Sequence, residues 1–101
     1  MTTNQLKKLT RDYMNARGYR MDVVNVGQRG RAHTGPRVGT SDVIGQAPRR
    51  LGGVFVAVEV KNIETGDTPT AAQLAYQADV RERGGIAFFV TEPADLDREC
   101  P

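Results

Sequence analysis

Apolar positions along this chain fall into two kinds of run, one spaced for helices and one dense enough for buried strands. Residues 4–17 carry Leu6, Leu9 and Tyr13 on one helical stripe, with Asn4 placed to cap the start and Gly18 to stop the end. MDVVNV, residues 21–26, reads as a strand, and SDVIG at 41–45 as a short strand ended by Gly45. VFVAVEV, residues 54–60, is the clearest strand: largely β-branched, and apolar on both faces as a central strand is. A second helix is predicted over 69–83, with Pro69 in the first position after a Thr68 cap. Its inward stripe would be Ala71, Leu74, Ala75 and Ala78, and Gly84 and Gly85 would stop it. IAFFV at 86–90 is another buried strand, and a short final helix starts at Pro93. The order α-β-β-β-α-β-α predicts one α/β domain over residues 1–101, a small mixed central sheet with flanking helices.

Composition changes this picture mainly through the placement of charge. Residues 1–61 hold 11 Lys and Arg against 4 Asp and Glu, a net of +7, whereas residues 62–101 hold 3 against 8, a net of −5. Such asymmetry points to a polyanionic partner for one face or set of loops, although a chain of 101 residues can reach it by chance. The loop GQRGRAHTGPRVGT, residues 27–40, supplies Arg29, Arg31, His33 and Arg37. Its glycines would let the backbone approach phosphates, and Arg49 and Arg50 extend the basic set. The plain alternative is a solvated, structureless loop in which His33 is an ordinary polar residue. Aromatic residues scarcely interleave with these cations, so base stacking on single strands is not indicated. The lone Cys100 excludes an internal disulfide and a thiolate metal cluster, and reads as a frayed tail residue. No apolar run approaches membrane-spanning length and none resembles a signal peptide, so the expectation is a soluble protein of a reducing compartment.

Candidate chemistry begins with the two charges inside the central strand. Side chains alternate with a period of two, so Val54, Val56, Val58 and Val60 face one way while Phe55, Ala57, Glu59 and Lys61 face the other. Glu59 and Lys61 therefore share a face, with α-carbons roughly 6.5–7 Å apart. One explanation is a partly buried ion pair at a fraying strand end, an arrangement that seldom favours stability. The other is catalytic, with a carboxylate holding a divalent metal and an amine serving a water or a phosphate. Asp42 adds to the second. If its strand pairs with 54–60 as a hairpin, Asp42 and Glu59 converge, and two carboxylates with a backbone carbonyl and waters suit Mg2+ or Mn2+. Taken alone, Asp42 could instead close an Asx-type turn. Gln73 likewise has two readings: partner of Thr70 in a capping box, or an amide that orients a metal-bound water or a phosphate oxygen.

GTSDVIG, VAVEVKN and TAAQLAYQADVRERGGIAFFV, in that order and spacing, resemble the VRR-NUC family of the PD-(D/E)xK nuclease superfamily over roughly residues 20–91. The element order is also that of the superfamily's restriction-endonuclease-like αβββαβ core. The resemblance implies a metal-dependent DNA endonuclease with Mg2+ or Mn2+ as cofactor. Asp42 and Glu59 would be the metal ligands with the Val60 carbonyl, Lys61 would position or activate the water, and Gln73 would match the family's helix glutamine. It further implies DNA as substrate, duplex or branched, four-way junctions included, and a stand-alone protein of phage or bacterial type, in the cytoplasm of a bacterium or infected host. A homodimer would place two sites across a junction, with Val24, Val26 and the second helix as possible contacts. One departure is the first helix, where family members often carry a glutamate that reaches the site: here Gln5 lies nearest that place and Asp12 a turn or two later. The competing reading is a catalytically inactive nucleic-acid-binding or assembly protein that keeps the nuclease fold.

Overall fold

A computed structural model of the chain describes residues 1–24 and 41–101. Arg29, Arg31, His33, Arg37 and Val26 lie outside those described residues. The elements are helix α1 (Thr3–Ala16), strands β1 (Arg20–Val23), β2 (Val43–Gln46) and β3 (Phe55–Val60), helix α2 (Ala71–Glu82), strand β4 (Ile86–Val90) and helix α3 (Ala94–Glu99). This is the expected order. The sheet is four-stranded and mixed, in spatial order β1-β2-β3-β4, with β1–β2 and β2–β3 antiparallel and β3–β4 parallel across α2.

The two faces of β3 meet different layers. Val56, Val58 and Val60 pack with Leu6 and Met14 of α1, Leu96 of α3, and Met21, Val43, Phe88 and Val90 of the other strands. On the opposite face Ala57 and Ala87 lie against Val80 of α2, with Ile44 and Tyr76 beside them. Small residues on that face bring α2 close to the sheet.

Several local expectations need correction. Thr2, not Asn4, caps α1: its hydroxyl accepts from the Gln5 amide while the Gln5 side chain accepts from Thr2 N–H. Thr70, not Thr68, caps α2, and it does so through the capping box with Gln73. The α2 stripe is also turned. Ala71, Leu74, Ala75 and Ala78 are exposed, Leu74 by 52%, while Gln77 and Val80 are buried. The reason lies in the edge strand β4. Gln77 Nε2 donates to the Phe88 carbonyl at 2.8 Å, and Arg81 donates to the Ala87 carbonyl at 3.0 Å. The Ala87 carbonyl points away from β3 and finds its partner in Arg81, while Gln77 adds a second donor to the Phe88 carbonyl, which faces β3 in the parallel ladder.

Gly45 does not end β2 but sits inside it, opposite Met21. A Cβ there would stand 1.8 Å from the Arg20 carbonyl oxygen, so β1 approaches as closely as it does only because residue 45 has no side chain. β1 spans Arg20–Val23, residues 25 and 26 of the predicted 21–26 lie outside the described residues, and Val24 donates to the Asp42 carbonyl at 2.7 Å. Cys100 is no frayed tail residue: it is buried in the larger core cluster, and the adjoining Pro101 carbonyl accepts from the Tyr19 hydroxyl at 2.8 Å. Among the described residues, no helix is long and apolar enough to cross a membrane.

Candidate active site

β2 and β3 pair with Val43 opposite Val58, so one step further toward the open end of the pair Asp42 stands opposite Glu59. β2 has ended there, and the Asp42 side chain takes over its ladder: Oδ2 accepts from Val60 N–H at 3.0 Å. In a strand the N–H and C=O of one residue leave on the same side, so the Val60 carbonyl projects toward the same edge as Asp42. Asp42 is thus a cross-strand backbone acceptor, not the closure of a local turn in this bond, and a member of the carboxylate pair at once.

Glu59 is 3% exposed and its two oxygens are treated differently. Oε2 accepts from Gln73 Nε2 at 2.9 Å and lies 3.9 Å from Lys61 Nζ. Oε1 is buried with no hydrogen-bond donor among the described residues. Burial first, and then the hydrogen-bonding proximity and charge of Asp42, push the Glu59 carboxyl up to about 8, against the opposing pull of Lys61 and Lys7. Two ionised carboxylates offer each other no donor. A proton between them would satisfy Oε1, and so would a cation.

Gln73 carries out its cap and reaches Glu59 with one side chain. Its Oε1 accepts from Thr70 N–H at 2.9 Å, completing the cap, and its Nε2 holds Glu59. The first turn of α2 is therefore tied to the carboxylate at the end of β3. Lys61, 7% exposed, has its ammonium between Glu59 Oε2 and Asp67 Oδ2, the latter at 3.6 Å.

Two contributors escape a reading of the sequence. Lys7 reaches Asp42 Oδ1 from α1 at 3.5 Å, although α1 packs on the face of the sheet opposite to α2. Asp67 arrives from the β3–α2 connection. The helical period of α1 places Lys7 next to Leu6, which faces the core, but says nothing about which strand end it overhangs. Gln5, the nearest residue to the family's helix glutamate, is spent on the cap of its own helix.

The proposed ligands fit a hard divalent ion. Two carboxylates, one buried oxygen without a donor, and a strand-end carbonyl make an all-oxygen donor set, with waters to complete it. No group of three or more acidic, histidine or cysteine side chains placed to hold a metal occurs among the described residues.

Arg49 and Arg50 are not brought to this strand end. They form the short 3-10 turn Arg49–Leu51 between β2 and β3, at the opposite end of the strand pair from Asp42. Arg49 lines a cleft there with Arg20, Gln46 and the glycines 18, 52 and 53. Neither arginine has an ion-pair partner among the described residues, and Arg50 is exposed. No family model, no curated protein and no solved structure matches the chain.

Proposed function

We propose that this protein is a metal-dependent DNA endonuclease whose reacting centre is the open end of the β2–β3 pair. The observation that carries the reading is the meeting of the Asp42 and Glu59 carboxyls at one strand end, with Glu59 Oε1 buried and lacking a donor and the Lys61 ammonium alongside. A strand pair gains nothing structural from two facing carboxylates in a desolvated position, which makes such a pair a mark of function. The VRR-NUC resemblance assigns the same residues.

A bound Mg2+ or Mn2+ would acidify a water and draw charge from the phosphate. The chain's own groups do the rest. Val60 N–H fixes one oxygen of Asp42, and Gln73 fixes one oxygen of Glu59, so both carboxylates are positioned before any ion arrives. Lys61, kept in place by Glu59 and Asp67, presents a positive charge to the phosphoryl oxygens as negative charge builds on them. Hydrolysis adds the water oxygen to phosphorus and breaks the P–O bond to the leaving sugar oxygen, which takes up a proton; no electrons are exchanged. The duplex or branched DNA would be held mainly through its backbone by the basic residues of 27–40 with Arg49 and Arg50. In a homodimer, the exposed side of α2 around Leu74 offers an apolar contact.

Cleavage of labelled duplex, flap and four-way substrates with Mg2+ or Mn2+ tests the reading. The parent should cut at least one of them, and chelation should stop it. Asp42→Asn and Lys61→Ala should each lose cutting by about 100-fold or more while retaining DNA binding. Equal cutting by the parent and both variants would remove the site. Binding without cutting on every substrate would leave a nucleic-acid-binding protein in place of the enzyme.

A further inference from the structure

Resting on that reading, we propose that the centre accepts a single divalent cation and that the Lys7 ammonium serves as its built-in second positive charge, holding Asp42 and meeting the substrate phosphate. Both oxygens of Asp42 are already engaged, Oδ2 by Val60 N–H at 3.0 Å and Oδ1 by Lys7 Nζ at 3.5 Å. Glu59 has one oxygen on Gln73 and the other, Oε1, buried without a donor. One dication would be held by Asp42 and by the Oε1 of Glu59, which lacks a partner. A second would have to share the Oδ1 flank of Asp42 with an ammonium.

Two-metal phosphodiesterases set their ions roughly 3.5–4 Å apart across a bridging carboxylate. Lys7 Nζ lies 3.5 Å from Asp42 Oδ1, so a fixed monovalent charge already occupies the flank of Asp42 that a second ion bridged by this carboxylate would need. Its side chain is 22% exposed, which leaves the ammonium open to a phosphate oxygen while anchored on Asp42. Lys61 and Lys7 then flank the reacting phosphate from the α2 side and the α1 side of the sheet end.

Titration of the metal-free protein with Mn2+, followed by calorimetry and by the electron paramagnetic resonance signal of free Mn2+, tests this. The parent should take up one equivalent, lost in Glu59→Gln. Lys7→Met should keep that one equivalent and bind it more tightly, since a competing cation has gone, yet cut DNA with kcat lowered at least about 10-fold. Lys7→Arg should restore part of kcat, and Lys7→Glu, which places a third carboxylate beside Asp42, should take up a second equivalent. Two equivalents in the parent, or an unchanged kcat in Lys7→Met, would overturn the role of Lys7 and leave the nuclease reading standing. Absence of any Glu59-dependent equivalent would overturn both.

Discussion

At the scale of single residues, the clearest consequence of this site is a penalty carried by the metal-free protein. Glu59 is held protonated by burial and by Asp42, with its carboxyl raised from 4.5 to about 8. Between those values the folded chain keeps a proton that the unfolded chain has released, so stability must fall as pH rises through the window. Below 4.5 both states are protonated and the penalty vanishes. Thermal unfolding in chelator should therefore show a midpoint that drops from pH 5 to pH 8 in the parent. In Glu59→Gln the drop should be much reduced, and at pH 8 this variant should be the more stable of the two. Its amide can still accept from Gln73, so only the charge has been removed. Parallel profiles for the two proteins would show that Glu59 is not held protonated. The sequence exposes much of this: a period of two puts Glu59 and Lys61 on one face, and a hairpin register brings Asp42 to them. It conceals Lys7 and Asp67, because which side chain overhangs a strand end depends on how a helix or loop lies across the sheet, and no local pattern encodes that.

At the scale of elements, helices and strands are legible in type and order, but their edges and faces are less so. The valine face of β3 reads directly from alternation. The α2 stripe does not, because the apolar residues Ala71, Leu74, Ala75 and Ala78 face outward while Gln77 turns in to serve an edge-strand carbonyl. Hydrophobicity ranks side chains by their cost in water and takes no account of a backbone group that needs a partner. Gly45 is a similar case. A glycine after a short apolar run suggests a strand end, yet here it marks a close approach of β1 within the strand. Gly45→Ala should force β1 and β2 apart and cost about 3 kcal/mol, lowering the unfolding midpoint by roughly 10 °C or more. Because Asp42 lies three residues away, directly before β2, the variant should also loosen the carboxylate pair, visible as weaker Mn2+ binding. A midpoint within about 2 °C of the parent would mean that β1 is free to shift at little cost.

At the scale of the whole molecule, the uneven charge and the position of the arginine turn together define how DNA should lie. Arg49 and Arg50 are five or more residues along the strand pair from Asp42, a distance of about 16 Å or more at the usual strand rise. That is too far for either guanidinium to touch the reacting phosphate, but it matches about five base pairs of duplex at 3.4 Å each. These arginines are therefore expected to act in binding alone. In the double variant Arg49→Ala/Arg50→Ala, KM should rise while kcat at saturating DNA stays within about twofold of the parent. The dependence of log affinity on log salt should become shallower by nearly two, since each phosphate contact contributes a slope of about 0.9. Lys7→Met should behave in the opposite sense, with kcat falling and the salt slope changing by no more than one contact. The pair of variants thus separates charge that grips the duplex from charge that meets the reacting group. If the double arginine variant lost kcat at saturation, the DNA path would have to bend back across the end of the sheet. If instead it kept the full salt slope, the phosphates would be held elsewhere, and the basic residues of 27–40 would remain as the other cations named for that task.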